Sequence, residues 1–485
     1  MCSSDPARDR FFSGVHVNAT RRAAACAVAI AVVVVGCGSG SIHGRSAADS
    51  SGVVALSSPA ASPASPPASS SVESPLSPPA SASVAPPPTS TSLVSSAGTA
   101  AALAKDHWSA LPAAPIAARS GAASAWTGRQ LLIWGGEYGP RGDQLAGDGA
   151  AYDPATKQWT KIPAAPISAR VQMASVWTDS ALFIRGGDAA DGISKNGAMY
   201  NPATMKWRML PSSPLSARAG AQAVWVDNEV IVISGYPPDS STSQEAHADL
   251  AAYSPGSNSW TTLAPMPLTG DHVVIAVVAA ATNDRVYVWE EWQHVTNTSD
   301  AESIDSGIDL FVFDPVHNSW TPDLAAAPPT DGSDENDAPG GIDSTLWTGT
   351  NLFVPSAQRW CGLGMCPASL PGQDRLLDPS ANSWTTIASG PIDTLGPSRF
   401  VWTGSTVIAF DTGGTVNGPG VNIVQGQAAA WDPSTGGWTR LPAAPLFGAS
   451  VAVWDGDELL MWGTLNAPAD TGSVPSDTTG LQFGP

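Results

Sequence analysis

The chain is predicted to be all-β, a seven-bladed β-propeller of four-stranded antiparallel blades whose last blade is closed by the N-terminal strand. Three observations carry this prediction. A hairpin made of an apolar strand end, an Asp-Pro or similar turn and a strand opening on Trp recurs at intervals of about fifty to sixty residues. A second hairpin, whose first strand mostly ends on Trp, precedes each of these. Finally, the repeat at the C-terminus lacks a fourth strand, and a matching strand stands alone at the start of the repetitive region.

The elements before the repeats come first in the chain. Arg21 and Arg22 precede an apolar run from Ala23 to Val35, which ends in Val34-Val35-Gly36-Cys37. Such a run is short for a membrane span but suits the core of an export signal. It resembles a bacterial lipoprotein signal peptide over residues 1–36. The resemblance implies that Cys37 is the lipidated first residue, that the membrane is a partner through this anchor, and that the protein sits on the outer face of the cell membrane or in the envelope. Read from the residues alone, an uncleaved anchor and an ordinary signal peptide stay open. Residues 37–105 consist largely of Ser, Pro and Ala with few large apolar side chains. Such a stretch cannot offset its ordering entropy by burial, and its prolines stiffen it toward polyproline II. It is expected to be a disordered spacer, and its Ser/Thr-Pro content also fits a glycosylated stalk.

The repeats occupy residues 106–485. The outer hairpins are Tyr152-Asp153-Pro154 to Trp159, Tyr200-Asn201-Pro202 to Trp207, Tyr253-Ser254-Pro255 to Trp260, Phe313-Asp314-Pro315 to Trp320, Leu377-Asp378-Pro379 to Trp384 and Trp431-Asp432-Pro433 to Trp438. Proline fixes the turn and Asp, Asn or Ser opens it. The inner hairpins run from Trp126, Trp177, Trp225, Trp347, Trp402 and Trp454 into apolar strands such as Leu131-Leu132-Ile133-Trp134, with Ala281 replacing the Trp in blade 4. The Gly-Gly pair after the second strand, as at Gly135-Gly136 and Gly186-Gly187, makes the unit similar to the kelch repeat. The resemblance, to the superfamily of the galactose oxidase central domain, covers almost everything past residue 107. It implies a ring of blades around a channel lined by first strands. The seventh repeat, from Ser450 to Pro485, reaches only a third strand, and His107-Trp108-Ser109-Ala110-Leu111-Pro112 matches Gln158-Trp159-Thr160-Lys161-Ile162-Pro163. The N-terminal strand is therefore expected to complete blade 7 and remove the open sheet edges.

Function is less legible. A net charge of −20 with few lysines excludes a nucleic-acid partner. The recurrent tryptophans are expected to pack between blades, whereas Trp289, Trp292 and Trp360 fall outside the two repeated positions. Arg119, Arg170, Arg218 and Arg399 follow similar lead-ins to first strands, with Asp271 and Ala449 standing in their place in blades 4 and 7. These arginines either bridge adjacent blade backbones or form a channel-mouth set of forked donors for carboxylates or sulfates. Blade 4 adds Glu290, Glu291 and His294 as candidate ligand-binding groups.

Blade 5 opens with the acidic run 331–337, whose oxygens invite a calcium reading. Asn336 and Ile342 stand where an EF-hand loop needs Gly and Glu, so no metal site is assigned. Cys361 and Cys366 share one loop, and outside the cell a local disulfide is expected. Arg141-Gly142-Asp143 is a tripeptide of the integrin-binding type and is short enough to arise by chance.

No nucleophile elbow, zincin helix or phosphate loop is present. The donor set for copper as in galactose oxidase cannot be assembled, because Cys361 and Cys366 are the only cysteines in the repeats. The expectation is a binding or scaffold module for a protein or glycan, its oligomeric state open. The alternative is a carbohydrate-active enzyme, such as a sialic-acid mutarotase-like or galactose oxidase-like protein. The scaffold alone does not choose between them.

Overall fold

The computed structural model describes residues 100–485 apart from 105, 140–142, 239–245, 268–271, 298–301, 323–344, 356–373, 389, 393–397, 412–413, 417–421, 425, 445–450 and 464–479, and the structural statements below concern the described residues. Cys37 with the signal and most of the spacer, Asp271, Ala449, Trp360, the acidic run of blade 5, Cys361, Cys366, and Arg141 with Gly142 lie outside them.

Seven four-stranded antiparallel sheets make up the domain. Blade 1 comprises Ala123–Trp126, Leu131–Trp134, Gly149–Asp153 and Gln158–Lys161. Blade 2 comprises Ala174–Trp177, Leu182–Arg185, Gly197–Asn201 and Lys206–Met209, and blade 3 Gln222–Val226, Glu229–Ile233, Leu250–Ser254 and Ser259–Thr262. Blade 4 has Val273–Ala281, Val286–Asn297, Glu302–Asp314 and Ser319–Pro322. Blade 5 has Leu346–Trp347, Leu352–Val354, Arg375–Asp378 and Ser383–Thr386. Blade 6 has Ser398–Trp402, Val407–Asp411, Gly426–Asp432 and Gly437–Ala444. Blade 7 takes Val451–Trp454, Leu459–Trp462 and Gly480–Gly484 from the C-terminus and His107–Ala110 from the start of the repeats. Trp108 pairs with Phe483 there, as the orphan strand requires. Each first strand touches the first strand of the next blade, and that of blade 7 touches blade 1, so the ring closes.

The strand patterns follow from this stacking. A second strand is sandwiched between two neighbouring blades, so both faces must be apolar. Leu131–Trp134 and Leu459–Trp462 are buried throughout. Fourth strands face solvent and bury little beyond their Trp, as in the exposed, half-buried, exposed, exposed pattern of Gln158–Lys161. Outer hairpins turn alike because Asp153, Asn201, Asp314 and Asp378 accept a main-chain N–H three residues on. The residue after that donor takes positive φ, at Lys157, Met205, Asn318 and Asn382.

Packing repeats with the blades. Apolar clusters fill the junctions in turn, from Leu132, Ile184 and Tyr200 between blades 1 and 2 to Trp462, Leu131 and Tyr152 between blades 7 and 1. The fourth-strand tryptophans add a polar staple. Trp159 donates its Nε1–H to Pro112 O at 2.9 Å, Trp207 to Pro163 O at 2.8 Å, Trp260 to Pro211 O at 3.1 Å and Trp438 to Ala388 O at 2.8 Å. Each acceptor belongs to the segment leaving the preceding blade. Trp108 donates to Pro442 O at 3.0 Å and so ties the N-terminal strand to blade 6. One feature departs from expectation. The helical turn Ala100–Leu103 buries Ala100 and Leu103 against blades 6 and 7, so ordered packing begins ahead of residue 106.

Candidate functional site

Two faces of the ring differ in kind. One carries the Asp-Pro turns, and the other carries the lead-ins to first strands and the connections between second and third strands. The arginines belong to the second face. Arg119 is 1 % exposed, and its Nη1 donates to Gly135 O at 3.3 Å and to Asp148 Oδ1 at 2.7 Å, while Nε donates to Ala117 O. Arg170, also buried, donates from Nη1 to Gly186 O at 2.9 Å and from Nε and Nη2 to Ser168. Arg218 repeats the arrangement on Ser234 O and holds Asp249 through two bonds, 2.8 Å to Oδ1 and 2.9 Å to Oδ2. The main chain completes a staple, since Gly136 donates to Arg170 O and Gly187 to Arg218 O in the next blade. Glycine is required at these donors. A Cβ on Gly136 would stand 2.4 Å from Ser120 O and one on Gly187 2.6 Å from Val171 O.

The guanidinium groups of these three arginines therefore bond inside their own blades, with Asp148 and Asp249 as the carboxylates that Arg119 and Arg218 hold, and the bridge to the preceding blade is made by the main-chain carbonyls of Arg170 and Arg218. Burial lowers the Arg170 guanidinium to about 10, an effect Asp191 partly opposes. Arg399 does not belong to the set. It lies inside the first strand of blade 6, exposed and three residues before Trp402, whereas Arg119, Arg170 and Arg218 each precede the corresponding Trp by seven. The Pro-Ser-Arg lead-in mimics the repeat at the wrong register.

Sequence reasoning missed the junction of blades 2 and 3. Arg185 takes the place held by Trp134 in blade 1 and is 1 % exposed. Its Nη2 donates to Leu215 O at 2.7 Å and Ser216 O at 3.1 Å, while Nε and Nη1 are buried without a partner. Its guanidinium lies 5.8 Å from the Trp260 ring centre. Burial foremost, and then Arg218, lowers its pKa to about 10. Above it sit Ser216, His247 and Asp249. No spacing signals this group, because Ser216 comes from a lead-in and the other two from the approach to a third strand.

Blade 4 breaks the pattern. Its second and third strands run 12 and 13 residues, against 4 and 5 in blade 1. The added ladder extends from Glu290↔Asp309 to Asn297↔Glu302, and the first strand follows it only to Val273↔Gln293. At about 3.3 Å per residue, the hairpin continues roughly 25 Å past the point where the second strand of blade 1 stops. Glu290 stands at the position of Gly135, 0 % exposed, and neither carboxyl oxygen has a hydrogen-bond partner. Burial, with Asp309 adding to it, raises this carboxyl to about 7. Farther along, the His272 ring stacks on Trp292 at 3.6 Å and 15°, with His294 6.3 Å from His272. Glu291 pairs in the ladder with Ala276 and Ile308. Trp289 is core, packed in the junction of blades 4 and 5.

Two surface grooves, of about 240 and 390 Å³, lie on the Asp-Pro face, away from these groups. The first is lined by Asn351, Trp402 and Trp431 among others, the second by Met199, Trp207 and Arg208 among others. Among the described residues no three His, Cys, Asp or Glu side chains are placed to hold a metal ion.

Comparison with known proteins agrees with the architecture. Residues 99–289 match the family model described as the KLHDC2/KLHL20/DRC7 Kelch-repeats domain. No curated protein matches the chain.

Proposed function

We propose that the chain is a lipid-anchored, extracytoplasmic scaffold that binds a protein partner through the face bearing the blade 4 hairpin. The observation that carries this is the hairpin itself, a ladder continuing roughly 25 Å beyond the ordinary blade length on a closed ring, its outer half from His294↔Asp305 to Asn297↔Glu302 standing clear of the first strand. The stacked His272–Trp292 pair at its base is an aromatic anchor ordered before binding, which lowers the entropy cost of association. The guanidinium groups of Arg119, Arg170 and Arg218 are buried and bonded within the protein, which weighs against an anionic sugar as the main ligand. Kelch-repeat domains commonly mediate protein interactions, in keeping with the match over residues 99–289. The signal-like residues 1–36, Cys37 and the proline-rich composition of residues 37–105 support tethering at a distance from the membrane.

The test places a photo-crosslinking residue at Thr296, on the hairpin, or at Asn283, in the inner-hairpin turn of the opposite face, in cells of the source organism. A discrete adduct from position 296 alone is expected. Purified propeller should compete for it, and a variant with residues 293–306 replaced by a two-residue turn should not. The same adducts from both positions refute the reading. Fatty-acid labelling lost in Cys37→Ala tests the anchor.

A second reading, glycan binding, draws on the same His272–Trp292 stack as a platform for a sugar ring. A rise in melting temperature with neutral sugars, lost in Trp292→Ala, would favour it.

A further inference from the structure

We propose that Ser216, His247 and Asp249 form a nucleophilic serine site at the junction of blades 2 and 3, which takes an acyl group from small, unhindered esters. Ser216 Oγ lies 3.3 Å from His247 Nε2, and His247 Nδ1 lies 4.0 Å from Asp249 Oδ1. The hydroxyl thus meets one ring nitrogen and the carboxylate faces the other. That connectivity lets an imidazole take a serine proton while a negative charge supports the imidazolium that forms. At 4.0 Å the carboxylate acts through charge, and such contacts commonly tighten when substrate binds.

The three groups are held from beneath by buried cations. Arg218 Nη2 donates to Ser216 Oγ at 3.1 Å and to Asp249 Oδ2 at 2.9 Å, and its Nη1 donates to Asp249 Oδ1. Arg185 pins the Ser216 carbonyl, and the His247 main-chain N–H donates to Gly235 O at 2.9 Å. The reacting groups themselves are open, Ser216 being exposed and His247 and Asp249 side chains 27 % and 46 % exposed. A buried cation donating to Oγ favours the charge that forms there as the proton leaves for His247.

The charges facing His247 are those of Arg218 and Asp249. Burial and then Arg218 hold the imidazole below its ordinary 6.5, outweighing Asp249, so it is neutral and basic at neutral pH. Asp249 stays ionised, because its hydrogen bond to Arg218 and the charge of that group outweigh the effect of burial.

The chemistry balances without a further reagent. Ser216 Oγ bonds to the acyl carbon, its proton passes to His247 Nε2, and the ester C–O bond breaks. The leaving alkoxide takes that proton, and water, deprotonated by the same nitrogen, releases the acid. The open setting suits small acyl groups. The site lies on blades 2 and 3 and stands or falls independently of the blade 4 hairpin.

The experiment treats the purified full-length chain with a small alkyl fluorophosphonate, in which Oγ bonds to phosphorus as fluoride leaves. Intact mass and peptide mapping locate the adduct, and its rate is followed against pH. One adduct at Ser216 is expected, formed at a rate that rises through a pH below 6.5. It should be absent in Ser216→Ala and slowed by about 100-fold or more in His247→Gln, with the wild-type melting temperature retained. No adduct, an adduct elsewhere, or a rate indifferent to His247→Gln overturns the proposal. Should His247→Gln melt low, the wild-type pH profile decides, and a rate that shows no rise with pH anywhere below 6.5 overturns it.

Discussion

Replacing Glu290 by Gln isolates a carboxyl that, alone among the described residues, is buried without any hydrogen bond. In the unfolded chain this group titrates near its ordinary 4.5. In the native state, burial and the neighbouring Asp309 raise it to about 7. Because the folded value is the higher, the native state is unpenalised below about 4.5, loses stability as pH rises, and levels off above about 7. The interval corresponds to about 3 kcal/mol, a ceiling because water drawn to the carboxyl would relieve part of it. Gln keeps the shape and cannot ionise. Urea denaturation of both proteins at pH 4.5 and pH 8 measures the effect. The two should be nearly equal at the lower pH, and the variant should be more stable by about 1–3 kcal/mol at the higher one. Asp106, Asp455 and Glu458 are also raised by burial, but they titrate alike in both proteins and cancel in the difference. A difference that does not change with pH would refute the assignment.

Other substitutions test the ring and its arginines. Trp108→Phe removes the bond to Pro442 O and should cost about 1 kcal/mol, whereas Trp108→Ala also loses the packing on Phe483 and should cost about 2–3 kcal/mol, both read by urea denaturation. Deleting residues 105–112 leaves Gly480–Gly484 as an open edge, and self-association on a sizing column is expected. Arg119→Met strands the carbonyls of Ala117 and Gly135, for an expected loss of about 2–4 kcal/mol. Arg185→Met removes a buried charge that leaves two of its own nitrogens unbonded, so stability should be unchanged or raised by up to about 2 kcal/mol. Equal losses in the two arginine variants would contradict this contrast.

What repeats is legible and what is singular is not, for a physical reason. The outer hairpins share one turn and, Trp384 excepted, one inter-blade carbonyl, so the polar turn opener at Asp153, the positive φ at Lys157 and the indole of Trp159 recur by position from blade to blade, and the pattern exposes both the strand order and the split seventh blade. The arginines show where that logic fails. Arg119 and Arg218 were visible as repeated residues, but only the register against Trp126 and Trp225 separates them from Arg399, whose lead-in looks alike. Glu290 carried a signal of a different sort. Blade 4 replaces Gly-Gly with Glu-Glu and so lacks the positive-φ turn seen at Gly135 and Gly136, and there the strand runs on into the long hairpin. Ser216 and His247 carried none, since Ser is ordinary in a lead-in and His before a strand. What unites them is the buried Arg185 and Arg218 beneath both, and buried charge is costly unless something fixes its geometry. Arg185 fills a place where other blades put Trp134, Trp289 and Trp462, so an apolar residue fits there and packing alone does not call for a cation. The departure from the repeat puts a cation between blades 2 and 3, where it bonds Leu215 O and Ser216 O and so sets the Ser216 main chain on which the proposed site rests.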